Sequence, residues 1–236
     1  MPFDTIRMGS SAAGAYEIER SLKFIRADAH RLNRTPSSAS NRKTYTFSCW
    51  VKLSARTGYD KNGIIFNAGP GSNGNNFALR ITDSGTIGID YYGIGGYYST
   101  GKLRDPSAWY HCVWRVDTTD STAANRVKVY VNGVLFFNSQ MGLSQNDDTP
   151  INNNVEHTMG VYSYDQSHDY TLDGYMAEAH FVDGTALDAS SFGETDPNTG
   201  QWIPKKYVGS YGTNGFKLDF SDNSGTSATT LGKDSS

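Results

Sequence analysis

Apolar and polar residues alternate along most of this chain with a period of two, the mark of half-buried β-strands. In the segment 45–52, Tyr45, Phe47, Cys49 and Val51 fall on one side, and Thr46, Ser48 and Lys52 on the other. The alternation begins at Ser21, with Leu22 and Phe24 facing one way, and it returns at 63–67, 77–81 and 86–91. Tyr110, Cys112, Trp114 and Val116 form a further inward set, and 126–131 and 134–137 flank Asn132-Gly133, the strongest short-range hairpin signal. Later strands read at 159–164, 174–182 and 216–220, and only 186–192 has the look of a short helical turn. Roughly a dozen short strands spaced by turns, with no long helix and no fixed repeat, predict an all-β chain folded as a two-sheet antiparallel β-sandwich. The first and last strands are then expected to pair and close it. Residues 1–20, small and polar around Gly9 to Gly14, read as a flexible arm and candidate anchor, 21–222 as the sandwich, and 223–236 as a polar tail.

Composition narrows the class. The chain has 236 residues, enough for one large core, with 15 Tyr and 25 Gly against 7 Pro. Its net charge is −3 and no Lys/Arg run exceeds the pair Lys205-Lys206, which argues against nucleic acid as a partner. No apolar run reaches the roughly 18 residues of a membrane span, and Met1 to Arg20 lack a secretory apolar region. Cys49 and Cys112 both sit in alternating segments and read as buried thiols, with a disulfide open but not required.

Three segments, in order, resemble a known family: Trp109-Tyr110-His111, then Val127 to Gly133, then Leu172-Asp173-Gly174-Tyr175-Met176-Ala177-Glu178. Together with 45–52 they are similar to the laminin-G-like branch of the concanavalin A-like lectin/glucanase superfamily, over about residues 21–220. That resemblance implies a jelly roll and says little of function. Tyr16 to Phe24, Arg34 to Ser37 and Asn41 to Thr44 further resemble laminin-G-like domains in virion proteins of tailed bacteriophages. This implies a virion location reached by assembly in the host cytoplasm. It also implies capsid, tail or fibre subunits as partners, and a role in host-surface polysaccharide attachment or shell decoration. A homotrimer suits fibre-like proteins, although no heptad supports one here.

Catalytic patterns fall short. Some superfamily members hydrolyse β-glucans through Glu-x-Asp-x-x-Glu on one strand; here Glu178 is followed by His180 and Asp183 in those places. The Gly69 to Gly74 loop spells G-x-G-x-x-G, but no helix follows to cradle phosphate. No catalytic residue is assigned and the chain is read as non-enzymatic, a carbohydrate-active enzyme or free-standing lectin being the alternative. No cofactor is required; calcium is the one candidate, with Asp165, Asp169 and Asp173 as loop oxygen ligands. For a glycan the candidates are Tyr91, Tyr92, Tyr97, Tyr98 and Tyr164, because a tyrosine offers a flat face and a hydroxyl together. Neighbouring strand residues point to opposite faces, so one tyrosine of each pair must leave the core.

Overall fold

The computed structural model describes residues 16–54, 62–69, 76–139, 141–163 and 170–236. Fifteen strands run in chain order: β1 Leu22–Phe24, β2 Leu32–Arg34, β3 Thr44–Leu53, β4 Asn62–Ala68, β5 Phe77–Thr82, β6 Ile87–Tyr91, β7 Gly95–Tyr98, β8 Tyr110–Asp117, β9 Val127–Val131, β10 Val134–Ser139, β11 His157–Met159, β12 Gly174–Asp183, β13 Gly193–Thr195, β14 Trp202–Pro204 and β15 Phe216–Leu218. Two antiparallel sheets result. Sheet A has the order β1-β12-β3-β8-β9-β10, with β15 also on β12, and sheet B the order β2-β11-β4-β5-β6-β7. The all-β sandwich expected from the alternation is the architecture observed, and the β9–β10 turn has positive φ at both Asn132 (47°) and Gly133 (80°), as a two-residue hairpin needs.

The inner faces meet through aromatic contacts. Phe47 of sheet A stacks on Phe66 of sheet B with centroids 4.8 Å apart, and the Trp114 indole N–H donates across the gap to the Gly88 carbonyl at 3.1 Å. Cys49 and Cys112 are both buried, free, and directly opposite each other on β3 and β8.

One expectation needs correction. The first and last strands do not pair with each other: β1 lies along Gly174–Met176 of β12 and β15 along Ala179–Phe181 of the same strand. Both are three residues long, so one ten-residue strand carries both on one edge. Within the segment read as an arm, Ile18 is 6% exposed and packs on Trp50 and Ala177. The polar tail folds back, forming a short helix α1 at Ala228–Leu231 and bonding Ser235 N–H to the Lys217 carbonyl at 2.9 Å. Residues 1–15 lie outside the described residues.

Sheet A also has a third layer. All of Tyr45 to Val51 is buried, not only its inward half. The outer residues Ser48, Trp50, His111, Val113 and His180 are covered by Ile18 and by the 187–211 segment carrying Phe192, Trp202, Tyr207 and Tyr211. The β13–β14 hairpin belongs to this cover.

Candidate functional site

The fold brings Tyr98 together with Tyr162 and Tyr170 on the outer face of sheet B. Arg80 of β5, Gly88 of β6 and Tyr98 of β7 lie in one row, and Asp90 is opposite Gly96 in the next. A side chain on Gly96 would strike the Tyr98 ring within 2.6 Å, so the bare glycine is what lets that ring lie flat on the sheet. The Arg80 guanidinium sits over the ring at 5.3 Å, a cation–π contact, and pairs with the Asp90 carboxylate. Tyr162 closes the group: its hydroxyl donates to Asp90 Oδ2 at 2.7 Å and lies 3.3 Å from Arg80 Nη1. Tyr170 then packs edge-on against Tyr162 at 5.1 Å.

Burial grades this cluster. Arg80 and Tyr162 are buried, Asp90 and Tyr98 are half-buried, and Gly95 and Gly96 are exposed. Partial burial pushes the Tyr98 phenol up to about 12; the Arg80 charge opposes this and Asp90 adds to it. Tyr98 therefore keeps its proton as a donor at neutral pH. Arg80 Nε is buried without a hydrogen-bond partner.

The candidate tyrosines divide as alternation requires. Tyr91 faces the core, edge-on to Phe77 at 5.4 Å, and Tyr97 packs against the core cluster. Tyr98 lies on the outer face, and Tyr92 at the hairpin tip is 54% exposed beside the 43% exposed Ile94. Tyr91 is thus turned to the core, while Tyr97, like Tyr98, is half-buried. Tyr164, Asp165 and Asp169 lie outside the described residues. Asp173 is described, with its carbonyl accepting from Ser54 N–H at 2.9 Å. Among the described residues no three His, Cys, Asp or Glu side chains gather as a metal site.

A second polar cluster occupies the outer face of sheet A, around Glu178. A β-bulge shifts the β12–β3 register between Ala177 and His180, and Glu178 sits there with φ 46°, in the left-handed region. Met176 and Ala179 both face the core, so the bulge turns Glu178 outward with His180. Without it, simple alternation would send Glu178 into the core alongside Met176. The Tyr16 hydroxyl donates to Glu178 Oε1 at 2.5 Å, Lys217 Nζ lies 3.3 Å from that oxygen, and His180 Nε2 approaches Oε2 at 2.9 Å. The last is a close contact without hydrogen-bond alignment, since Oε2 has no hydrogen-bond partner. Burial alone would raise the Glu178 carboxyl, but His180, Tyr16 and Lys217 together outweigh it and hold the group below the usual carboxylate range.

Beside this cluster, the Trp202 indole N–H donates to His111 Nδ1 at 3.0 Å, which leaves Nε2–H to donate to Ser48 Oγ at 2.8 Å. His111 is therefore neutral, its pKa pushed down to about 3 by burial and secondarily by nearby His180. The cleft between these residues has no room for a water molecule. Sequence reasoning placed Glu178 on this strand but missed its partners. Tyr16 lies 162 positions away and Lys217 shares no motif with it, so only the fold could join them.

Two antiparallel sheets packed through an aromatic core define a lectin-like β-sandwich. The chain belongs to the concanavalin A-like lectin/glucanases superfamily, through a laminin G family model that matches residues 28–191. No curated protein sequence matches it. Among solved structures it is similar to a native heptameric SAP-like pentraxin from Limulus polyphemus, with 15% identity and a TM-score of 0.49 over 66% of this chain and 70% of that one. It is also similar to a putative carbohydrate binding protein from Bacteroides ovatus, with 18% identity and a TM-score of 0.45 over 70% of this chain and 45% of that one. A third similarity is to the NanB sialidase of Streptococcus pneumoniae, with 18% identity and a TM-score of 0.49 over 75% of this chain; the match spans 29% of the sialidase chain.

Proposed function

We propose that this chain is a non-enzymatic carbohydrate-recognition domain displayed on the particle of a tailed bacteriophage, where it contacts host-surface glycans. The observation that carries the recognition reading is the Tyr98–Arg80–Asp90–Tyr162 cluster. It presents a half-exposed aromatic ring that is in cation–π contact with Arg80 and whose hydroxyl stays protonated, the pairing of flat apolar surface and donor that suits a sugar ring and its oxygens. Tyr92 at the adjoining hairpin tip supplies a second exposed ring. The non-catalytic part of the reading is supported by the sealing of Glu178, because a general acid or nucleophile must reach substrate and this one sits under Tyr16 in a cleft closed to water. The particle setting rests on the resemblance carried by Tyr16 to Phe24, Arg34 to Ser37 and Asn41 to Thr44.

A glycan array probed with the full chain tests recognition. Bound glycans should lose signal with Tyr98→Ala and, to a smaller degree, with Tyr92→Ala; a flat array with folded protein overturns the reading. Binding should survive EDTA, and its loss would bring Asp165, Asp169 and Asp173 back as ligands for calcium. Peptides of this chain should be found in purified virions, next to capsid, tail or fibre subunits.

A further inference from the structure

At the open edge of the sandwich, between β2 of sheet B and β15 of sheet A, lies a cavity of about 100 Å³. Its inner wall is formed by Leu32, Phe66, Met159, Phe216 and Leu218 together with His157, and Asn33, Arg34 and Asp234 bring polar groups to the lining. That histidine has no spare valence. Its Nε2 accepts from Asn152 N–H at 3.0 Å and its Nδ1 contacts the Val155 carbonyl at 2.8 Å. Burial pushes its pKa down to about 4, so it is neutral and closes the inner wall without charge.

The rim is different. Arg34 is the third residue of β2 and shares the inward side of that strand with Leu32. Its guanidinium lies over the Phe216 ring at 5.2 Å and spends one N–H on the Asn214 carbonyl at 2.9 Å. It forms no ion pair with any described residue. Asp234, also on the rim, has Oδ1 occupied by Lys217 N–H and Ser236 N–H. Partial burial lowers the Arg34 pKa, and the nearby Asp234 and Asp183 carboxylates oppose that shift without reversing it. An inward charge on an edge strand guards that edge against stray pairing, which accounts for a charge at this place. It does not account for the void beneath.

We propose that this edge cavity binds a short aliphatic carboxylate, its tail among Phe66, Met159 and Leu218 and its carboxylate on Arg34. The size follows from comparison: a 150 Å³ apolar cavity accommodates benzene, so this one suits a tail of about four or five carbons. The charge follows from the rim, where a guanidinium with unspent donors favours a planar anion over a neutral head group. The site is on the opposite edge of sheet B from β7, so it stands or falls independently of the tyrosine face.

The test titrates pentanoate into the full chain carrying ¹³C-methyl methionine, with the Met159 signal assigned by Met159→Leu. Pentanoate should move the Met159 resonance saturably, pentanamide should bind about tenfold more weakly, and acetate should leave the signal in place. Arg34→Gln, at an exposed position, should keep the fold and reduce pentanoate binding to the level of the amide. An unmoved Met159 signal in folded protein overturns the site, and equal binding of pentanoate and pentanamide overturns the role given to Arg34.

Discussion

Each sheet carries a charged pair on its outer face, and the two pairs have been treated in opposite ways. On sheet A, Glu178 and His180 have side chains 6% and 5% exposed beneath a third layer of chain. On sheet B, Arg80 is 6% exposed but its partner Asp90 is 27% exposed, and Tyr98 lies half-open beside them. The chemistry of the first pair looks the more enzyme-like, with an acid, a histidine, a lysine and a tyrosine in contact. Access reverses that impression. Ion pairs of this kind mark function only when something can reach them, and only the sheet B pair lies beside an open surface. Under the cover on sheet A, Glu178 ties its strand to Tyr16 of the N-terminal segment and to Lys217 of β15.

Acid should destabilise the fold through one buried histidine in each sheet, His111 on β8 and His157 on β11. His111 and His157 both have folded-state pKa values depressed by burial, to about 3 and about 4. Each folded histidine therefore binds fewer protons than its unfolded counterpart, whose pKa is near 6.5. The stability they contribute is complete above about pH 6.5 and declines as pH falls toward the folded values, by about 1.4 kcal/mol per pH unit for each at the steepest. Glu178, also depressed, adds a further loss once pH drops below its ordinary value of 4.5. Denaturant midpoints measured from pH 7 to pH 4 should fall steeply, and His111→Gln should flatten the slope by about half. A midpoint that is level across this range would mean that water and protons reach the covered face.

Next in size is the direct cut of each pair. Glu178→Ala leaves His180 and Lys217 facing a buried vacancy and should cost about 3 kcal/mol of stability with no change in glycan binding. Asp90→Asn keeps shape and retains partial solvation, so about 1 kcal/mol is expected, together with weakened glycan binding as Tyr98 loses its clamp. Chemical denaturation paired with a glycan-binding assay separates the two outcomes. Should Glu178→Ala spare stability but abolish hydrolysis of a host polysaccharide, the non-enzymatic reading would fall.

A smaller contrast concerns the aromatics alone. Tyr98→Ala removes a half-exposed ring and should reduce glycan affinity about tenfold while costing little stability. Trp50→Ala removes a ring stacked 5.0 Å from His111 under the cover and should do the reverse, costing about 3 kcal/mol with affinity intact. Equal effects on binding would erase the distinction between the two faces.

How much of this could be read from the chain follows the range of the interactions. Strand alternation is local, so Thr44 to Leu53, Tyr110 to Asp117 and the Asn132-Gly133 hairpin were legible within a residue or two. The rule that one tyrosine of each pair must leave the core is equally local, and it anticipated Tyr91 inward with Tyr92 outward. Short strands such as β2, β11, β13 and β14 have three residues each, too few for a period to show. The third layer was invisible for a different reason. Covering residues such as Tyr16 and Trp202 meet sheet A across sequence separations of 162 and 91, and nothing local reveals that Thr46, Ser48 and His111 lie under them. A polar residue on the outward side of a strand reads as solvated until the chain returns over it. The bulge at Glu178 had the same defect, since it inverts the facing that alternation would assign.

The smallest expected effect is at the cysteines, and the register argues it. Thr118 N–H donates to the Lys43 carbonyl, which makes 43 and 118 a hydrogen-bonded pair of the β3–β8 ladder. The ladder runs on without a bulge, so the hydrogen-bonded pairs recur every second residue and Cys49 with Cys112 is one of them. Such pairs hold their Cβ atoms at the wide end of about 4.5–5.5 Å, beyond the roughly 3.8 Å that a disulfide prefers, which disfavours a bridge between them. Burial raises both thiols far from reactivity, Cys49 further by the proximity of Cys112. Both cysteines are therefore expected to remain reduced in air-exposed protein, to resist a thiol reagent in the native state and to react fully once denatured. A double change to Ala and Val should move the unfolding midpoint only slightly and leave glycan binding untouched. Two thiols missing from the denatured titration would mean that the strands bend enough to join them, and with it that sheet A is less rigid than its cover implies.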